Sequence, residues 1–166
     1  MTAFVVDTNV AVVANERESP QAGPECVIAC IDQLAAIRDN AMIVLDDAGL
    51  ILEEYGRRLN RSGQPGAGDM FLKWVWTVQA DRWRCERVRI TPMAHDPGDF
   101  DEFPRDTDLA GFDRSDRKFV AVALASLNDP TIVNAVDSDW KNFHAALAKY
   151  GVKIKFLCPQ YCSPEI

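Results

Sequence analysis

Histidine is nearly absent. The 166 residues hold two, His95 and His144, far apart in sequence. Catalysis built on a Cys–His or Ser–His pair therefore has no supporting pattern. No apolar run approaches the roughly 18 residues of a membrane span, which excludes a transmembrane helix. The opening Met1-Thr2-Ala3-Phe4-Val5-Val6-Asp7 has no basic region and reaches an acid early, so no secretory signal is expected. The five cysteines include no C-x2-C spacing. Cys26 with Cys30 and Cys158 with Cys162 are therefore expected as free, buried thiols in a reducing cytoplasm, not as a zinc site. Basic excess is also missing: the net charge is −7, which argues against a general nucleic-acid coat protein.

What remains is an ordinary globular composition, 48% hydrophobic and 26% charged, in a chain long enough for one domain over 1–166. The charge is unevenly placed. Between Asp96 and Asp116 eight acids meet only Arg105 and Arg114. Between Arg57 and Arg89 eight bases meet three acids. An acidic, cation-attracting centre beside a basic, phosphate-holding surface is the sharper reading, and two solvated faces the plainer one.

Short, continuously apolar runs predict strands at 4–6, 41–45, 88–90, 131–136 and 152–157. Helical spacing predicts helices from Pro24, over 48–59, from Asp69 (as cap), over 115–127 and over 140–150. Residues 94–111 read as a long acidic connection. Strands alternating with helices give an α/β protein of three layers, with a central parallel sheet of about five strands.

In such sheets ligands bind beyond the C-terminal strand ends. Asp7 ends the first strand, Asp137 and Asp139 follow the fourth, and Asp116 opens the helix before it. Each has a structural explanation as a turn or helix-cap residue. Together, with no Lys or Arg beside Asp7 or Asp137, they make a carboxylate cluster that needs a cation. Mg²⁺ or Mn²⁺ fits oxygen donors, and such ions activate water against phosphodiesters without a histidine. Helical geometry turns Glu53 away from the apolar face of its helix and leaves Glu54 at the face's edge, so Glu54 is the fourth candidate.

These residues resemble the PIN-domain family of metal-dependent ribonucleases. The resemblance rests on Asp7-Thr8-Asn9, on Glu54 before Tyr55, on Asp116 with Lys118 and Ala123, and on Asp137-Ser138-Asp139-Trp140, in family order along nearly the whole chain. It implies sheet order 3-2-1-4-5 and endonucleolytic cleavage of RNA with Mg²⁺ or Mn²⁺. Asp7, Glu54, Asp116 and Asp137 would be catalytic, the same four with Asp139 would hold metal, and Thr8 and Asn9 would orient Asp7. Arg57, Arg58, Arg61, Arg82 and Arg84 would meet RNA phosphates. Many small members are toxins of bacterial toxin–antitoxin pairs, which adds a cognate antitoxin and a homodimer as expected partners in the cytoplasm. A departure is Ala135, where members often have Thr or Ser, leaving Asn134 or Ser138 to supply that contact.

The alternatives are a non-catalytic PIN-like module that binds RNA or protein, and a dehalogenase-type phosphatase, which needs an acid where Asn9 stands. A P-loop is excluded, because Asp69-Met70 follows the glycine-rich 63–68 stretch where Lys and Ser or Thr are required.

Overall fold

The computed structural model describes residues 1–16 and 22–162. Five parallel strands form one sheet: β1 (Ala3–Val6), β2 (Met42–Asp46), β3 (Cys85–Val88), β6 (Thr131–Asn134) and β7 (Lys153–Phe156). Their order is β3-β2-β1-β6-β7. The expected 3-2-1-4-5 becomes 3-2-1-6-7 in chain numbering. The reason is two further strands outside the sheet, β4 (Pro92–Met93) and β5 (Asp96–Phe100), an antiparallel pair within the expected acidic connection.

β2 is buried along its whole length, as a central parallel strand must be. β1 pairs with β2 on one side and β6 on the other, with Phe4 opposite both Ile43 and Thr131. Strand 88–90 is corrected to 85–88. At the sheet edge Glu86 and Arg87 can turn outward, so apolarity alone misplaces the strand.

Among the described residues, seven α-helices accompany the strands: α1 (Thr8–Ala14), α2 (Pro24–Asn40), α3 (Leu50–Arg58), α4 (Ala67–Val78), α5 (Arg117–Ala125), α6 (Ser138–Asn142) and α7 (His144–Ala148). α1, α2 and α4 pack on one another, while α5 lies across β1, β2 and β6. α1 is missing from the sequence reading, which ends β1 in a turn. It is only seven residues long, and six of them are buried, so no polar face marks it. The expected 140–150 helix is two short helices broken at Phe143. Asp69 sits in the first turn of α4 and reaches back to the Gly66 N–H at 2.9 Å, with Gly66 as the cap.

The expectation that Cys26, Cys30, Cys158 and Cys162 are all free thiols is also corrected. Cys26 near the start of α2 and Cys158 beyond β7 form a disulfide, because the sheet brings β7's end beside that helix. Cys30, Cys85 and Cys162 remain thiols. Among the described residues, no helix is long and apolar enough to cross a membrane.

Candidate metal centre

The strand ends assemble the site. Asp7 leaves β1 and caps α1, accepting from the Asn9 backbone N–H at 3.0 Å. Its other oxygen accepts from Trp140 Nε1 at 2.6 Å. Asp137 leaves the β6 end and caps α6, accepting from the Asp139 N–H at 2.9 Å. Asp116 lies where the 3₁₀ turn Arg114–Asp116 meets α5. Carboxylate oxygens of Asp7, Asp116 and Asp137 all lie within 4.8 Å of one another.

This cluster is strongly self-repelling. Burial pushes the Asp7 carboxyl up to about 7, with the charges of Asp137 and Glu54 adding to it. Burial, then the charges of Asp7 and Asp137, pushes Asp116 up to about 10. Converging hard oxygen donors that resist ionisation together are what a hard divalent cation neutralises, so the donor set fits Mg²⁺ or Mn²⁺.

Glu54 reaches the same cleft differently. Asp46, buried at the end of β2, accepts from the N–H groups of Leu50 and Ile51, each at 2.8 Å, and so anchors the start of α3. Tyr55 on α3 donates to the Val6 carbonyl at 2.5 Å, fixing that helix against β1. Glu54 then pairs with Lys118 Nζ at 2.8 Å and accepts from the Thr8 hydroxyl. Its charge is already balanced, and it stands on the cleft wall outside the three-aspartate cluster. Glu53 points outward to Arg57.

Three expected roles change. Thr8 orients Glu54, not Asp7. Asn9 supports Asp7 through its backbone, while its side chain donates to Asn134 Oδ1 at 2.8 Å and accepts from the Ala135 N–H at 2.9 Å. Asp139 lies outside the cluster. Its carboxylate accepts from the Asp113 N–H at 2.8 Å, tying the α6 turn to the turn that carries Asp116. Beside Ala135, Asn134 Nδ2 donates to the Asp137 carbonyl at 3.0 Å.

The cleft has a volume of about 480 Å³ and is lined by Asp7, Thr8, Asn9, Glu54, Asp113, Asp116 and Asp137, with Arg57 and Arg58 on its rim. Asp113 is the lining acid that the sequence reading did not single out. Its signal was present, an acid three before Asp116, but it reads equally as the cap it also is. Of the candidate RNA-facing arginines, Arg57 and Arg58 border the cleft and Arg61 lies over Trp76. Arg82 and Arg84 precede β3, at the strand ends opposite the cleft. Arg84 is occupied there by the Arg38 carbonyl and the Trp74 ring.

The acidic connection is largely neutralised by its own partners. Asp99 pairs with Arg105 and Arg117, Asp96 with Arg114, and Asp106 and Asp108 with Lys149. Comparison of the chain with family models, with curated proteins and with solved structures finds no match.

Proposed function

We propose that the chain is a metal-dependent endoribonuclease of the PIN-domain kind. The observation that carries this reading is the convergence of Asp7 and Asp137, beyond the ends of β1 and β6, with Asp116 at the start of α5, their carboxylate oxygens within 4.8 Å of one another. The sheet order supports it: with the β4–β5 pair left out, β3-β2-β1-β6-β7 reads as that family's 3-2-1-4-5.

Asp7, Asp116 and Asp137 would hold Mg²⁺ or Mn²⁺, which when bound supplies Lewis-acid activation of water and neutralises charge at the scissile phosphate. The rest of the chemistry lies in how the chain holds these groups. Trp140 and the Asn9 amide fix Asp7. Asn134 fixes the turn carrying Asp137. Lys118 and Thr8 hold Glu54 as a charge-balanced wall. Arg57 and Arg58 meet the phosphates flanking the cut. Hydrolysis joins the water oxygen to phosphorus, and the leaving ribose oxygen takes the proton.

The test is cleavage of a mixed RNA panel with Mg²⁺ or Mn²⁺. Loss of cleavage in Asp7→Asn and Asp116→Asn is expected, and unchanged activity in both overturns the assignment. RNA binding without cleavage under either metal makes the chain a binding module instead.

A further inference from the structure

We propose that Arg58, Arg61, Lys73 and Trp76 form a subsite that guides single-stranded polynucleotide away from the acidic cleft. This rests on the ribonuclease reading and extends it to a surface outside the cleft. Arg58 borders the cleft at the end of α3. Arg61 follows three residues later, at most about 11 Å of chain away. There the chain turns back onto α4, and the Arg61 guanidinium lies 4.3 Å from the Trp76 ring centroid. Lys73 stands one turn before Trp76 on the same helix, so the two share a face.

The loop is pinned to that face. Gly63 has φ +82, and a Cβ there would stand 2.8 Å from Lys73 Cδ. The positive φ is what favours glycine here, while the flexible Lys73 side chain could give way to a Cβ. Arg61, Lys73 and Trp76 are all exposed, and because the Arg61 guanidinium covers a face of the Trp76 ring, the stacked pair with Lys73 beside it is what a base and its phosphates would meet. Cations around an aromatic, three residues along the chain from Arg58 at the candidate cleft, match a backbone of phosphates carrying unpaired bases. A protein partner would call for an apolar centre, whereas Trp76 is bordered here by Arg61, Lys73 and Thr77. Trp83 is more exposed, at 83%, but lies in the turn before β3, outside the Arg61–Trp76 stack, and serves as the control.

The experiment is fluorescence anisotropy of a labelled oligouridylate of about twelve nucleotides, in EDTA to prevent cleavage. Trp76→Ala is expected to weaken binding about ten-fold, with Trp76→Phe and Trp83→Ala near wild type. Arg61→Ala should also lower the slope of log affinity against log salt by about one, which a purely structural role would not do. Arg61 is exposed, so this variant decides the matter if Trp76→Ala fails to fold. Wild-type-like binding by folded Trp76→Ala, equal loss in Trp83→Ala, or no binding by the wild type overturns the subsite. Binding here needs no divalent ion. A chain that binds through this strip but cleaves nothing with Mn²⁺ overturns the ribonuclease reading alone.

Discussion

The indole of Trp140 donates to Asp7 Oδ2 at 2.6 Å across 133 positions of sequence. Both residues are buried, and the bond is one of two that hold Asp7 in its cluster. It also favours the ionised carboxylate against the push of burial. Trp140→Phe keeps a ring against Phe112 and removes the donor together with part of the buried indole volume. The expected cost is about 1–3 kcal/mol of stability, with weaker Mn²⁺ binding because Asp7 becomes harder to ionise. Thermal unfolding and calorimetric titration with Mn²⁺ check the two effects separately.

Asp116 predicts an unusual pH dependence of the metal-free protein. Its folded carboxyl is raised to about 10 from an ordinary value of 3.8. The folded state thus holds a proton that the unfolded chain releases. That contribution is full below about 3.8 and is lost as pH rises toward about 10. Stability in EDTA should therefore fall from pH 5 to pH 9, and Mn²⁺ should raise Tm more at the upper end. Asp116→Asn should flatten the EDTA profile and reduce the Mn²⁺ shift. A wild-type profile in the variant would place the dependence elsewhere.

Much of this site is legible in the sequence, because its acids sit at strand ends and helix starts, which follow from apolar runs. Asp7 and Asp137 are found from strand ends, and Asp116 from the start of the helix before β6. Glu54 is found as well, but its pairing is not, since Lys118 lies 64 positions away and meets it only through folding. Thr8 and Asn9 show the same limit: proximity in sequence suggests Asp7 as their partner, while the fold sends their side chains to Glu54 and Asn134. Local pattern fails where burial is complete, as in α1, and where charge sits on an edge strand, as in β3. The charge excess of 96–116 misleads because its acids pair with Arg105 and Arg114 inside it, with Arg117 just beyond it, and with Lys149 at the end of α7.

Asp99 contributes to the acid limit of the fold. The Arg105 guanidinium, with the Phe100 N–H and Arg117, holds its carboxyl down to about 2. A depressed folded value gives stability that is present above about 3.8 and is lost as pH falls toward about 2. Arg117 is 7% exposed and depends on Asp99 for its counter-charge. Asp99→Asn should cost about 3 kcal/mol at neutral pH, by leaving that cation without its partner, and should remove part of the acid transition. Because Arg117 opens α5 directly after Asp116, Mn²⁺ affinity should weaken too. Denaturant unfolding at pH 7 and pH 3 measures the first effect.

The disulfide sets how firmly the C-terminal segment is held. Cys26–Cys158 closes a loop across 132 positions, so reduction releases a large amount of unfolded-chain freedom. The segment it anchors touches the site's support: the Leu157 N–H donates to the Asn134 carbonyl at 2.9 Å, and Cys162 Sγ donates to the Ala135 carbonyl at 3.3 Å. Tyr161 adds a contact to α2, donating to Glu25 at 2.7 Å while accepting from the Gly23 N–H at 3.0 Å. Cys30 is the nearest thiol to the bridge. Burial pushes it up to about 12, so it carries little thiolate at neutral pH to attack the bridge. Reduction should therefore cost about 2–5 kcal/mol, a fall in Tm of about 5–15 °C. The Cys26→Ala, Cys158→Ala double variant should melt with the reduced wild type, and Cys30→Ala should leave the effect of reduction intact. Thiol titration of the unfolded, unreduced chain should count the three thiols Cys30, Cys85 and Cys162. Finding all five cysteines reactive there, with Tm unmoved by a reductant, would show that the bridge contributes nothing to the fold in solution.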